Sequence, residues 1–284
     1  MNVKDKKILI VGLGLIGGSY AEGLTDKGYY VSALSTDQAD IEYALEKGII
    51  KEGKTKIEED YIKKFDIVIF ALYPKVFISW LKENQNCLKE NALISDVTGV
   101  KKVVIDEINH FLRKDIDFVP AHPMAGREVY GVRNADKNIF KGANFILVPQ
   151  SYNKKESIEM VKTLAQELEF KNIVELSADE HDEMIGFLSQ LTHCIAISLM
   201  TCKESDKLSL YTGDSFRDLT RIARINENMW CELFLMNKEK LIEQMDLFIK
   251  EFVKLRNAIE QEDENKIKEM MISSTMRRSY FDKK

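Results

Sequence analysis

Scarce residue types narrow the classes of protein to which this 284-residue sequence can belong. Its four cysteines are scattered and form no C-x-x-C pair, which argues against a disulfide framework or a zinc site and favours the reducing cytoplasm. The net charge is −5 and no long basic run is present, so nucleic acid is not an expected partner. No stretch suggests a membrane span or a signal peptide, so we expect neither.

Proline and glycine are unevenly distributed, and this divides the chain into two predicted domains, residues 1–176 and 177–284. No proline follows Pro149, and the second part contains two glycines, Gly186 and Gly213. The first part alternates short apolar segments with helical patterns, which predicts a Rossmann-like, doubly wound and mostly parallel sheet. The predicted strands are Lys7–Val11, Tyr30–Leu34, Asp66–Ala71, Ala92–Asp96, Asp117–Pro120, Phe145–Val148 and Ile173–Leu176.

The second part shows almost no strand pattern and is predicted to be an all-α dimerisation domain. Its segment Met184–Met200 is apolar nearly all round, so we expect it to be buried on every side. A helical domain of this size is too thin to bury such a helix alone. We therefore expect the domain to pair with a second copy of the chain, as a homodimer.

The stretch GLGLIG at residues 12–17 follows the first predicted strand and opens a helical pattern. Gly12 suits a tight turn, Gly14 lets the backbone approach a pyrophosphate, and Gly17 lets the helix pack closely on the sheet. Leu15 and Ile16 begin the helix, where free N–H groups face phosphates. The pattern predicts a dinucleotide site and disfavours the alternative, a glycine-rich turn that binds no nucleotide.

The choice between NAD and NADP rests on Ser35, Thr36 and Asp37 at the end of the second strand. A carboxylate usually binds the adenosine ribose near this point. The two hydroxyls would tolerate a 2′-phosphate and favour NADP, but no arginine follows to bind that phosphate. Asp37 could instead reach the ribose and favour NAD, so both cofactors stay open.

His122 lies in the stretch PAHPMAGREVYG, at the end of a predicted strand. Ligands of open parallel sheets bind beyond the carboxyl ends of the strands. Of the four histidines, His122 is therefore the best placed to meet the nicotinamide, in preference to the alternative of a loop histidine satisfied by backbone groups.

Polar side chains recur along the apolar segment that begins the second domain. Asp182, Gly186, Ser189 and His193 are spaced 4, 3 and 4 residues apart, so they share one helix face. Such a stripe must be satisfied by a ligand or by other protein groups. Spacing alone leaves a binding site and a polar cluster at a subunit interface equally open.

Three arginines, Arg217, Arg221 and Arg224, also share a helix face and could bind a carboxylate. For Arg217 and Arg224 a solvated face paired with aspartates is the preferred interpretation. Arg221 lies between apolar neighbours, so we expect it to be partly buried and to bind a ligand.

Together these stretches resemble the prephenate dehydrogenase family along nearly the whole chain. The matching motifs are GLGLIGGS at 12–19, SDVTGVK at 95–101, HPMAGRE at 122–128, SQLTH at 189–193, and DLTRIA at 218–223 followed by Met229-Trp230. The resemblance implies an NAD(P)-dependent oxidative decarboxylation of prephenate to 4-hydroxyphenylpyruvate, in tyrosine biosynthesis.

The resemblance also implies roles for individual residues. His122 would accept a hydrogen bond from the ring hydroxyl and act as the base, and Ser189 would orient the region near the nicotinamide. Arg221 and His193 would hold the two substrate carboxylates, and Glu128 would guard the entrance. Many relatives carry a serine at the position of Gly99, where it hydrogen-bonds the catalytic histidine. We hypothesise that Thr98 supplies that hydroxyl here.

Three other functions compete with this interpretation. Arogenate dehydrogenase performs the same reaction on the transaminated substrate. A 3-hydroxyacid dehydrogenase would need a lysine on the helix after the first domain, and residues 177–202 contain none. A non-catalytic NAD(P)-sensing protein would bind cofactor without turning over prephenate.

Overall fold

The computed structural model describes residues 3–205 and 207–281. The strands are β1 Lys7–Val11, β2 Tyr30–Leu34, β3 Glu52–Lys54, β4 Ile67–Phe70, β5 Leu93–Asp96, β6 Asp117–Phe118, β7 Ala121–Met124, β8 Asn144–Leu147 and β9 Asn172–Glu175. The helices are α1 Leu15–Asp26, α2 Gln38–Glu46, α3 Glu59–Ile62, α4 Pro74–Asn84, α5 Lys102–Asn109, α6 Lys155–Glu167, α7 Ala178–Ile185, α8 Leu191–Thr201, α9 Leu208–Tyr211, α10 Asp214–Thr220, α11 Glu227–Met236, α12 Lys238–Glu260 and α13 Glu264–Arg278. The contacts divide the chain into two compact units, Met1–Asn237 and Lys238–Lys284.

The first six strands form a parallel sheet in the order β3-β2-β1-β4-β5-β6. Its central strands are buried on both faces, because each is a short run of aliphatic residues such as ILIV in β1 and IVIF in β4. Two clusters of buried apolar residues hold the sheet and its helices together. The predicted doubly wound parallel sheet is confirmed.

The strand order reverses between β1 and β4. The chain leaves β1 toward β2 on one side and returns through β4 on the other, so their carboxyl ends open a crevice between diverging connections. The glycine turn follows β1 directly, and the segment Ala71–Pro74 follows β4. This crevice positions the candidate site.

The last three strands form a separate sheet in the order β7-β8-β9, whereas their alternation predicted one continuous sheet. The donors from β6 to β5 are the N–H groups of Asp117 and Val119, and the next one in phase, that of Ala121, bonds the Asp96 side chain instead of the backbone, so the ladder ends there. The chain passes into β7, which the sequence did not predict, and His122 pairs there with Ile146 of the antiparallel β8. His122 therefore follows the predicted strand, which is β6, and also lies within the additional strand β7.

Beyond Glu175 the described residues contain helices and no strand, as predicted. Ser177 starts α7 with a capping box, in which its hydroxyl and the Glu180 carboxylate each accept a hydrogen bond from the other residue's backbone N–H. A wider π-helical turn, Gly186–Gln190, separates α7 from α8. The regular α-helical spacing assumed for the polar stripe is interrupted there.

By length and composition alone, the helical stretch Ala178–Thr201 could cross a membrane, although no membrane span was predicted. The same composition is common in core helices of soluble proteins. The expected burial of Met184–Met200 on every side is not met within one chain, since Phe187 is 51% and Leu188 49% exposed. Within a single chain, other residues therefore cover only part of the surface of this helical stretch.

Candidate active site

A pocket of about 560 Å³ lies where the crevice meets the loop after β7 and the helices α7, α8 and α11, all within the unit Met1–Asn237. The predicted site residues that line it are Gly14, Leu15, Ile16, Gly17, Thr98, His122, Glu128, Ser189 and His193. Residues that are far apart in the sequence thus surround one cavity. The cavity has the size of many small-molecule and cofactor sites.

The glycine turn has the geometry that a dinucleotide site requires. Gly12 has a φ of +99°, a conformation that side chains disfavour. A Cβ on Gly17 would lie 1.9 Å from the Gly12 carbonyl oxygen, so only glycine allows this approach of helix and strand. A Cβ on Gly14 would meet nothing within 4 Å, so its surroundings are open. Gly14 is the N-cap of α1 and offers no side-chain cap, which leaves the helix N–H groups accessible.

Ser35, Thr36 and Asp37 follow β2 and lie outside the pocket lining. Asp37 is the N-cap of α2, and its carboxylate accepts a hydrogen bond of 2.8 Å from the N–H of Ala39. The Ser35 hydroxyl oxygen accepts a bond from the N–H of Asp37. These residues stand beside the carboxyl end of β1, where an adenosine would extend.

His122 begins a chain of side chains that runs from the pocket into the protein interior. Its Nδ1 lies 2.9 Å from Nε2 of His181 on α7, and Nδ1 of His181 lies 2.6 Å from the carboxylate of Asp182. That carboxylate also accepts hydrogen bonds of 2.9 Å from the N–H groups of Lys101 and Lys102 at the start of α5. His181 and Asp182 are both buried.

A second buried group lies beneath His122. The Lys101 ammonium is fully buried and donates to the Asp96 carboxylate at 2.6 Å and to the Thr98 carbonyl at 2.9 Å. The Thr98 hydroxyl contacts Asp96, the Val100 carbonyl and Lys101. Its partners thus belong to this cluster, and the structure contradicts the hypothesis that Thr98 replaces the missing serine as the partner of His122.

Burial lowers the pKa of His122 well below its ordinary value of 6.5, with further contributions from His181 and the Lys101 cation. Burial also lowers the pKa of His181, although the hydrogen bond to Asp182 opposes the shift. Burial lowers the pKa of Lys101, and the adjacent Asp96 opposes this. His122 is therefore neutral at neutral pH, the state that a general base needs.

The residues of the polar stripe in the second predicted domain lie in two different places. Ser189 and His193 line the pocket, whereas Asp182 is directed to the start of α5. The His193 Nδ1 donates to the Ser189 carbonyl at 2.9 Å, and its ring stacks on Trp230 with centroids 3.6 Å apart. Burial lowers the pKa of His193. Of the four stripe positions, Ser189 and His193 therefore line the pocket, and Asp182 and Gly186 do not.

Arg221 forms an ion pair with Glu128 at 2.5 Å beside the pocket. The Arg221 side chain is 64% exposed, so the expected partial burial is wrong. Helix α10 ends at Thr220 and Arg221 begins a 3₁₀ turn, Arg221–Ala223, so the assumed helix face does not continue through it. Arg217 pairs with Asp214 on the surface, as predicted. Arg224, predicted to be solvated, is exposed and also lines the pocket.

Sequence reasoning missed His181, Gln190 and Trp230 as parts of the site. His181 lies one residue before the polar stripe, and the order His-Asp at a capped helix start was a signal that could have been used. Gln190 is buried and joins α7–α8 to α11 by donating to the Leu233 carbonyl. Contacts between residues 43 or 59 positions apart, such as Gln190 with Leu233 and His122 with His181, leave no local pattern in the sequence.

One pocket contains His122 and the glycine turn that follows the first strand of a parallel sheet. This combination defines a dinucleotide-dependent dehydrogenase of the Rossmann class. Residues 20–174 match the family described as "Prephenate dehydrogenase, nucleotide-binding domain". Residues 177–273 match "Prephenate dehydrogenase, dimerization domain". The chain belongs to the prephenate dehydrogenase family.

Individual relatives agree with this assignment. Prephenate dehydrogenase of Bacillus subtilis is 32% identical over 271 residues, 93% of this chain and 72% of the relative. Cyclohexadienyl dehydrogenase of Zymomonas mobilis is 30% identical over 271 residues, 91% of this chain and 90% of the relative. The crystal structure of Aquifex aeolicus prephenate dehydrogenase with hydroxyphenyl propionate and NAD+ matches with a TM-score of 0.90 and 30% identity, covering 98% of each chain.

Proposed function

We propose that this protein oxidises prephenate to 4-hydroxyphenylpyruvate and carbon dioxide, with NAD or NADP as the oxidant, in cytoplasmic tyrosine biosynthesis. The single observation that carries the proposal is that one pocket contains both the glycine turn and His122. Arogenate is the alternative substrate, because it differs from prephenate away from the reacting ring.

The residues of the turn fit a dinucleotide. Gly12, Gly14 and Gly17 would let the pyrophosphate approach the start of α1, where Leu15 and Ile16 begin the helix and line the pocket. Ser35, Thr36 and Asp37 would face the adenosine ribose, and the choice between NAD and NADP depends on them. The bound nicotinamide supplies the acceptor for the hydride that leaves the ring carbon bearing the hydroxyl.

His122 performs the proton transfer. As the hydride leaves, the proton of the 4-hydroxyl passes to the imidazole of His122, so the ring carbon becomes a carbonyl. The ring carboxylate then leaves as carbon dioxide, and its bonding electrons make the ring aromatic. The resulting phenolate oxygen takes a proton back, so no net proton remains on His122.

The groups around His122 bind the rest of the substrate. Arg221 and His193 hold the two carboxylates, and Glu128, paired with Arg221, stands at the entrance. Ser189 orients the region near the nicotinamide. The Glu128–Arg221 pair is exposed, so a substrate carboxylate can replace Glu128 at little cost in free energy.

The protein acts as a homodimer through its helical part, which we assign to residues 177–284. In the first compact unit, Phe187 and Leu188 expose apolar surface on the helical stretch. In the second unit, α12 exposes Leu247, Ile249 and Phe252. Exposed apolar area of this kind marks an interaction surface. Sedimentation should give a dimer, and a stable monomer would contradict this assignment.

An assay matrix tests the function. Prephenate and L-arogenate are each supplied with NAD and with NADP, and reduced nicotinamide is followed by absorbance. Turnover with prephenate supports the proposal, and turnover with arogenate alone would replace it by the alternative. Binding of cofactor without turnover in any of the four combinations would indicate the sensing protein.

A further inference from the structure

We propose that His181 and Asp182 are positioning residues that hold the proton of His122 on Nδ1 and leave its Nε2 free to accept the substrate proton. The inference deepens the proposed function, since it rests on His122 as the base. It concerns two buried side chains that do not line the pocket and so do not touch the reacting atoms.

The direction of each hydrogen bond follows from the buried end of the chain. The N–H groups of Lys101 and Lys102 can only donate, so the oxygens of Asp182 accept. A carboxylate that accepts on both oxygens requires a donor at Nδ1 of His181, 2.6 Å away. A neutral imidazole carries one proton, so Nε2 of His181 is then an acceptor.

That acceptor determines the state of the catalytic ring. Nε2 of His181 lies 2.9 Å from Nδ1 of His122, which must therefore donate. Neutral His122 then has no proton on Nε2, the nitrogen left for the pocket. When Nε2 takes the substrate proton, Nδ1 keeps its own proton and its hydrogen bond, so the network need not rearrange during the reaction.

The surroundings keep both rings in this state. The groups nearest to the two histidines are Asp182 on α7, Asp96 at the end of β5 and Lys101 before α5. The Lys101 ammonium, held by Asp96, opposes a second positive charge on either ring. Both imidazoles are then neutral, as the alternating pattern of donors and acceptors requires.

Because residue 99 is glycine, Nδ1 of His122 needs a hydrogen-bond partner from another element, and α7 provides it. A Cβ there would lie 3.9 Å from Cε1 of His122, so residue 99 adjoins the ring but offers no hydroxyl. Thr98 is engaged with Asp96, Val100 and Lys101. His181 is thus the side chain that bonds Nδ1 of His122.

The first test is ¹⁵N NMR of protein labelled at its four histidines, with the His122 signals assigned by their loss in His122→Asn. We expect neutral His122 to carry its proton on Nδ1. His181→Leu removes the acceptor at similar volume, and we expect the proton to distribute between the two nitrogens. His181→Gln offers a carbonyl oxygen as acceptor and should restore the Nδ1 form.

Kinetics of the same variants give the second readout. We expect His181→Leu to lower kcat about 10–100-fold with KM and cofactor affinity nearly unchanged, the size of effect that loss of an orienting hydrogen bond has at metal-bound histidines. His181→Gln should recover most of the loss, and His110→Leu, at an exposed histidine, should have no effect.

A wild-type His122 with its proton on Nε2 would overturn the proposal, whether or not the variants fold. Equal kcat for His181→Leu and wild type would also overturn it. The NMR result does not need turnover, so an Nδ1 proton in a protein that is inactive in the assay matrix would refute the proposed function and leave the positioning network intact.

Discussion

The two ends of the pocket are built by different means. At the cofactor end, the turn Gly12–Gly17 works through the absence of side chains, since one Cβ on Gly17 would meet the backbone at 1.9 Å. At the histidine end, His122 depends on side chains from β7, α7 and the start of α5. We therefore expect changes at the cofactor end to affect folding and cofactor binding, and changes at the histidine end to affect the rate of reaction.

Replacing the base should have the largest effect on rate. We expect His122→Asn to lower kcat by roughly 10²–10⁴-fold, because the proton acceptor is lost. Cofactor affinity, measured by fluorescence titration, should not change. His110→Asn makes the same substitution at an exposed position and should retain full activity. A loss of cofactor affinity in His122→Asn would break the separation between the two ends.

Two alanine variants should separate folding from cofactor binding at the glycine turn. Gly17→Ala forces a methyl group against the Gly12 carbonyl and should lower the free energy of unfolding by about 1–3 kcal/mol or more. Gly14→Ala has open space and should unfold at nearly the wild-type temperature, while its methyl group weakens cofactor binding. Equal thermal stability of both variants would contradict the assigned geometry.

The ion pair at the pocket entrance should affect substrate affinity. We expect Arg221→Ala to raise the KM for prephenate by roughly 10- to 150-fold, because one carboxylate loses a charged partner worth about 1.5–3 kcal/mol. Stability should hardly change, since the pair with Glu128 is exposed. Arg217→Ala is the matched surface control. An unchanged KM in Arg221→Ala would make this arginine a solvent-facing residue only.

The pH dependence should reflect the surroundings of the half-buried His122. A base acts when neutral, so activity is lost only as the pH falls through its pKa. Burial, His181 and the Lys101 cation hold the pKa of His122 well below 6.5. We therefore expect kcat to stay constant as the pH falls through about 6.5 and to decline at lower pH. A decline centred on the ordinary histidine value would contradict the neutral buried network.

Restoring a hydroxyl beside His122 should have the smallest effect. A side chain on Gly99 would contact Leu233 at 3.5 Å and the His122 ring at 3.9 Å, both ordinary distances. Gly99→Ser should therefore fold normally and change kcat no more than a few-fold in the wild-type background. In the His181→Leu background, the same substitution should recover part of the lost rate if the new hydroxyl bonds Nδ1.

The sequence predicted the cofactor end better than the histidine end. The turn, β1 and β2 are local patterns, and both strands have the predicted bounds. The parallel sheet followed from the alternation of apolar strands and helices. The short strands β3 and β7 were missed, since β3 is the polar segment EGK and β7 contains Pro123.

The partners of His122 could not be predicted because they depend on tertiary contacts. His181 lies 59 residues from His122 in the sequence. Asp182 lies 81 residues from Lys101, whose backbone N–H donates a hydrogen bond to the Asp182 carboxylate. Helical spacing placed Asp182 with Ser189 and His193, but the π-helical turn between α7 and α8 changes that relation. Periodicity describes one element and does not reveal which other element will meet it.

The proposed oxidative decarboxylation is tested most directly by the stoichiometry of the reaction in one vessel. Prephenate labelled in its ring carboxylate is incubated with the protein and the preferred cofactor, and reduced nicotinamide, labelled carbon dioxide and 4-hydroxyphenylpyruvate are measured together. We expect equal amounts of all three products from the wild-type protein, and almost none with His122→Asn. Reduced cofactor without carbon dioxide, or equal rates for His122→Asn and wild type, would contradict the proposal.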